Sequence, residues 1–131
     1  FESTWQRSGF TELLQDAGLE VIGVDLLGHG TAPKPHDPEA YGDLTERIVE
    51  ALPDSPVAAI GFSLGAMTLL RLAIAQPGRF DRIVLAGVGR NIFERDDTGT
   101  RAIVARNPSV PLYFWTQSRC TMQTRGSDDE R

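Results

Sequence analysis

Gly61-Phe62-Ser63-Leu64-Gly65 is the stretch of this chain whose residue types and spacing can do chemistry. It follows the apolar run Val57-Ala58-Ala59-Ile60 and opens a helical pattern over residues 64–75. A G-x-S-x-G sequence between a strand and a helix presents its serine on a sharp, strained turn, with the hydroxyl exposed above the sheet. A serine hydroxyl is a weak nucleophile at neutral pH. It needs a base to take its proton and donors to hold an oxyanion. The turn supplies part of this. The backbone N–H of Leu64 stands at the helix start, where the helix dipole favours developing negative charge. Gly61 and Gly65 are expected to be required sterically, because strand and helix approach closely on either side of the turn. The chemistry implied is acyl transfer through Ser63. Phe62, Leu64 and Met67 are candidates to line an apolar pocket, with core packing the favoured place for Met67 over pocket lining.

Other chemical features carry less. Gly87-Val88-Gly89 after an apolar run imitates a dinucleotide fingerprint, but lacks a third small residue and a following unit with an acidic strand end. Cys120 lies in a polar stretch with no histidine near it in sequence, and reads as a bystander. No metal site and no cofactor are expected.

The elements that must position Ser63 follow from periodicity. Ser3 and Thr4 are candidate caps for a helix whose face holds Trp5, Phe10, Leu13, Leu14 and Ala17, with Gly9 as a weak point and Gly18 as a stop. Residues 19–27, with Glu20-Val21-Ile22-Gly23-Val24-Asp25, read as a buried strand entering a glycine-rich turn. Residues 31–42 hold Pro33, Pro35 and Pro38 and form an irregular loop. Leu44, Ile48 and Leu52 define a short amphipathic helix ending before Pro53. Residues 57–61 read as strand, 64–75 as helix stopped at Pro77-Gly78, and 82–86 as a third strand. Alternating strands and helices predict an α/β fold, a mainly parallel sheet flanked by helices. Residues 90–116 are expected to be irregular, with one helix around 100–106 and Pro111-Leu112-Tyr113-Phe114-Trp115 as a strand or packing segment. Residues 117–131 are expected to be a disordered tail.

Composition sets the outer bounds. At 131 residues, with 40% apolar and 24% charged side chains, the chain is long enough for one domain with a real core. A net charge of −5 argues against nucleic acid as a partner and offers no basic patch to an anionic membrane. No apolar run approaches the roughly 20 residues of a membrane span. A single cysteine permits no intrachain disulfide, which favours a reducing, cytoplasmic setting. The expected partner is a small-molecule substrate.

Three blocks, in this order and spacing, resemble the α/β-hydrolase superfamily in its small-molecule esterase, lactonase, haloperoxidase and C–C hydrolase branch. They are Asp25-Leu26-Leu27-Gly28-His29-Gly30 with Pro33, the Ser63 block through Ala66, and Pro77-Gly78-Arg79-Phe80-Asp81-Arg82-Ile83-Val84-Leu85. The likeness covers residues 1–89, which would be a partial core of that fold, with its first strands and the C-terminal triad region missing. Residues 90–116 would begin its cap. The likeness implies Ser63 as nucleophile of an ester, lactone or thioester hydrolase working through an acyl-enzyme. It implies an oxyanion hole from the Leu64 N–H and a second N–H near Phe1. Phe62, from its place beside the serine, is the expected substrate contact. Ala32 departs from it, a serine being commoner after this turn.

The family order is serine, acid, histidine. Here both histidines, His29 and His36, precede Ser63. His29 matches the family's turn histidine, expected to bond its own loop, and His36 is expected to be solvated. Asp96 and Asp97 are expected at the solvated start of the cap, Asp128 and Asp129 in the tail, and Asp25 beneath the turn. The chain, which opens on Phe1, is therefore expected to be an internal piece of a larger hydrolase, with little turnover by itself. A non-hydrolytic use of the fold, as a lyase or a ligand-binding or partner subunit, is the alternative.

Overall fold

A computed structural model describes residues 1–88 and the backbone of 112–116 and 119–123. The chain forms two compact units, Phe1–Leu52 and Pro53–Arg131. In the first unit the expected N-terminal helix is split. A π-helical turn, Glu2–Gln6, is followed by α1, Phe10–Asp16. Gly9 separates them at φ 77°, a left-handed conformation that glycine adopts without a Cβ clash. Ser3 and Thr4 do not cap: the π turn starts from Phe1 with no side-chain cap. Instead the Ser8 hydroxyl donates to the carbonyls of Thr4 and Trp5, each at 3.0 Å, satisfying the end of that turn. The Trp5 and Phe10 rings meet across the break at 5.4 Å. Gly18 ends α1 as expected. At φ 81° its N–H donates to the Gln15 carbonyl, and the Leu19 N–H donates to Leu14, a Schellman closure.

The strand expected over residues 19–27 is absent. The apolar alternation is there, but a strand exists only when its N–H and C=O groups find a neighbouring strand, and residues 19–26 pair with none among the described residues. Leu19 and Ile22 are accordingly exposed. The proline-rich loop is irregular apart from a 3₁₀ turn, Pro38–Tyr41, where Asp37 accepts from the Glu39 N–H at 3.0 Å. Helix α2, Glu46–Ala51, buries Ile48 and stops at Leu52 because Pro53 disfavours helical geometry in the residue before it.

The second unit is built on β1 (Val57–Phe62), α3 (Leu64–Ala75) and β2 (Phe80–Ala86). The strands pair in parallel from Ala58 opposite Arg82 to Phe62 opposite Ala86, so the connecting helix must cross over the sheet. Its inner face, with Ala66, Leu69, Leu70, Leu72 and Ala73, is buried together with Phe80, Ile83 and Leu85 of β2. This is the apolar core that fixes the joint between β1 and α3, each fully buried leucine or isoleucine contributing about 1.5–3 kcal/mol. Beyond β2, strand β3 (Leu112–Thr116) pairs in parallel, and β4 (Arg119–Gln123) pairs antiparallel to β3. β4 falls where a disordered tail was expected. Strand pairing is a backbone property, so the polar composition that suggested disorder does not prevent it. Asp96, Asp97, Asp128, Asp129 and the helix expected around 100–106 lie outside the described residues.

Candidate active site

Ser63 occupies the single residue between β1 and α3, and both elements hold it. Its N–H donates to the Ala86 carbonyl at 2.8 Å, extending the ladder between β1 and β2 by one residue. Its own carbonyl accepts from the Met67 N–H at 3.1 Å, the first turn of α3. The chain must therefore leave a strand and enter a helix within one residue. Ser63 meets that demand at φ 50°, ψ −111°, and is the one non-glycine residue with positive φ among those described. These angles mirror the ordinary extended region, territory that glycine enters freely and an L-residue enters at about 1–3 kcal/mol. The side chain stands exposed.

The two glycines of the motif do different jobs. A Cβ on Gly61 would lie 2.6 Å from the Ala66 nitrogen and from the carbonyl carbon and oxygen of Gly65, all main-chain atoms with no room to give. This is where strand and helix touch. A Cβ on Gly65 would meet nothing within 4 Å among the described residues, so the expected steric need at that position is not found. As the first residues of α3, Leu64, Gly65 and Ala66 have N–H groups with no intrahelical acceptor.

Three apolar side chains surround the turn. Phe62 is 53% exposed, Leu64 42% and Met67 41%. Of the two places expected for Met67, its exposure excludes the core. It lies on the outer face of the first turn of α3, three residues from Leu64, a spacing that puts both on one side of a helix. The Phe62 ring lies against the α-carbon of Gly87, whose hypothetical Cβ would fall 2.7 Å from the ring. Gly87 itself has φ 68°. Sequence reading missed this role, since Gly87 stands out in the chain only as the start of a Gly-x-Gly run. That role depends on the register of β1 against β2, which places Phe62 opposite Ala86 and which the sequence does not carry.

Phe1, His29 and His36 belong to the first unit. The Phe1 nitrogen donates to the Asp25 carboxylate, which also accepts from the Thr31 N–H at 2.9 Å and the Thr31 hydroxyl at 3.0 Å. Asp25 therefore braces the turn, as expected. The turn closes tightly on it, because a Cβ at Gly30 would meet the carboxylate within 2.4 Å. Arg47 donates from Nε to the Asp25 carbonyl at 2.9 Å and ties the turn to α2. Asp25, Thr31 and Arg47 also line a cleft of about 340 Å³ in this unit, together with Phe1 and Gly23. His29 places Nδ1 3.1 Å from the Leu27 carbonyl, bonding its own loop, and His36 is exposed. Among the described residues no three His, Cys, Asp or Glu side chains gather to hold a metal ion, and no helix is long and apolar enough to cross a membrane.

Comparison with known proteins bears on this arrangement. A family model described as alpha/beta hydrolase fold matches residues 2–119. The chain is 32% identical over 80 residues to a pimeloyl-[acyl-carrier protein] methyl ester esterase of Nitrosospira multiformis, covering 56% of this chain and 30% of the relative. It is 35% identical over 95 residues to a 2-hydroxy-6-oxo-2,4-heptadienoate hydrolase of Pseudomonas putida, covering 70% and 34%. It is 30% identical over 80 residues to an sn-1-specific diacylglycerol lipase of Mus musculus, covering 58% and 25%. The matched stretches thus span between a quarter and about a third of these relatives. No solved structure matches significantly.

Proposed function

Since this chain belongs to the alpha/beta hydrolase fold family, we propose that it carries the nucleophile of a serine hydrolase acting on an ester, lactone, thioester or similar small carbonyl compound. The observation that carries the reading is the backbone of Ser63, held at φ 50° between β1 and α3 with its side chain exposed. Strain of this size persists where surrounding structure over-determines it, and such residues cluster at active sites.

In the reaction, Ser63 Oγ bonds to the substrate carbonyl carbon as its proton passes to a general base. The carbonyl π pair moves onto oxygen, and that oxyanion faces the Leu64 N–H and the positive end of α3. Collapse of the tetrahedral species re-forms the carbonyl and expels the leaving group, which takes the proton from the base. Water then repeats the sequence on the acyl-enzyme and frees Ser63. This chain contributes the nucleophile and one donor. Its two histidines both precede Ser63, whereas the family order places the base after it.

That same observation favours a second reading, a non-hydrolytic use of the fold as a lyase or a ligand-binding or partner subunit. A fluorophosphonate probe, which reacts covalently with activated serines, separates the two. On the intact protein the adduct is expected on the peptide carrying Ser63, together with ester turnover that Ser63→Ala abolishes. An unlabelled Ser63 would overturn the hydrolase reading.

A further inference from the structure

We infer that Phe62, seated on Gly87, forms the wall against which the acyl portion of the substrate lies, and that this portion is an uncharged apolar chain. The inference rests on Ser63 being the nucleophile. Phe62 precedes Ser63 directly and is 53% exposed, a large aromatic surface left open beside the reacting atom. Leu64 and Met67 add a second apolar flank on the opposite side of Ser63 in sequence, 42% and 41% exposed. Exposed apolar surface gathered at a point marks a place where something apolar docks. At a nucleophile that something is the part of the substrate that stays on the serine.

Charge decides which acyl group fits. From Val57 to Leu70, through β1, the turn and the first half of α3, no side chain is ionisable, nor is any from Ile83 to Val88 at the facing end of β2. A carboxylate carried on the acyl chain would lose water against these two stretches and gain no ionic partner from either, which costs free energy. A methylene chain of the same length would exchange water for the Phe62 ring and the Leu64 and Met67 side chains, which favours it.

Gly87 is the positioning residue. Its φ of 68° and the ring carbons at 2.7, 3.0 and 3.1 Å from a hypothetical Cβ leave no place for a side chain. Any larger residue there would lift the ring away from β2 and into the space the acyl chain needs. The backbone makes this pairing natural: Phe62 sits opposite Ala86, the last residue of β2, so its ring reaches the residue that follows the strand.

The test is a set of p-nitrophenyl esters on the intact protein: acetate, hexanoate, and the six-carbon mono-ester ending in a carboxylate. Expected is a kcat/KM for hexanoate about tenfold or more above that for the carboxylate ester. Phe62→Ala should lower the hexanoate-to-acetate ratio by about tenfold, and Phe62→Leu should restore most of it. Gly87→Ala should lower the same ratio while keeping the ring. If that variant does not fold, the two Phe62 variants decide. A hexanoate-to-acetate ratio unmoved by Phe62→Ala, or equal turnover of the carboxylate ester, with Ser63 still labelled by fluorophosphonate, would overturn this inference alone. Loss of labelling and of all ester turnover in the wild-type protein would overturn it together with the hydrolase reading.

Discussion

The Ser63 N–H donates to the Ala86 carbonyl at 2.8 Å, so the serine is the last residue of a sheet ladder as well as the residue before a helix. That double membership explains its backbone. The ladder fixes where Ser63 begins, the Met67-to-Ser63 bond fixes where it ends, and φ 50° is the solution between them. The strain is held by the core beneath it, where Leu69, Leu70 and Leu72 of α3 are buried with Ile83 and Leu85 of β2.

Replacing Ser63 by glycine should therefore stabilise the second unit. Relief of the positive φ is worth about 1–3 kcal/mol and is partly offset by glycine's greater freedom in the unfolded chain, about 0.5–1 kcal/mol. Ser63→Ala keeps the strain and should melt close to wild type. Thermal denaturation of the three proteins checks this. A Ser63→Gly protein melting below Ser63→Ala would show that the turn stores no strain.

Gly61→Ala and Gly65→Ala should diverge although the two glycines flank the same serine. At Gly61 the added methyl meets main-chain atoms at 2.6 Å, and overpacking of this kind costs about 1–3 kcal/mol or more. At Gly65 it enters open space on a helix, where alanine is favoured over glycine by up to about 1 kcal/mol. Urea denaturation should place Gly61→Ala clearly below wild type and Gly65→Ala at or above it.

Asp25 should be needed to hold its turn at neutral pH. Its carboxylate accepts from the Thr31 N–H at 2.9 Å and from the Thr31 hydroxyl at 3.0 Å. Asp25→Ala leaves both donors without that acceptor and should destabilise the turn by about 1–3 kcal/mol. Hydrogen exchange at the Thr31 amide checks this, with faster exchange expected in the variant. Unchanged protection would contradict the assignment.

Leu85→Ala should be among the most damaging substitutions in the second unit, because Leu85 is 0% exposed under α3. Truncation of a buried leucine costs about 2–5 kcal/mol. Leu13→Ala, on an exposed face of α1, should stay within about 0.5 kcal/mol of wild type. Equal losses in the two would mean that the core has been misplaced.

Much of the second unit was legible in the chain. The helix from Leu64 to Ala75 runs as its pattern predicts, and β1 and β2 extend only one or two residues beyond the apolar runs that mark them. Local signals sufficed there because helix stops such as Pro77-Gly78 and short apolar runs act over a few residues. The first unit was less legible. Gly9 broke a helix that periodicity alone would have continued, since apolar spacing carries no information about where one glycine turns left-handed.

The sequence by itself determined the family, the order strand, serine, helix, strand, and the identity of the residue offered for chemistry, because these depend on neighbours in the chain. Only the tertiary structure decided what depends on partners distant in sequence. The apolar run at residues 19–26 found no strand to pair with and stayed out of regular structure, while Arg119–Gln123 found β3 and became a strand. Packing of α3 over the sheet made Gly61 indispensable, left Gly65 free of steric demand and turned Met67 outward. For Ser63 itself, the motif named the residue, and the bond to Ala86 across the sheet set the backbone angle that presents it.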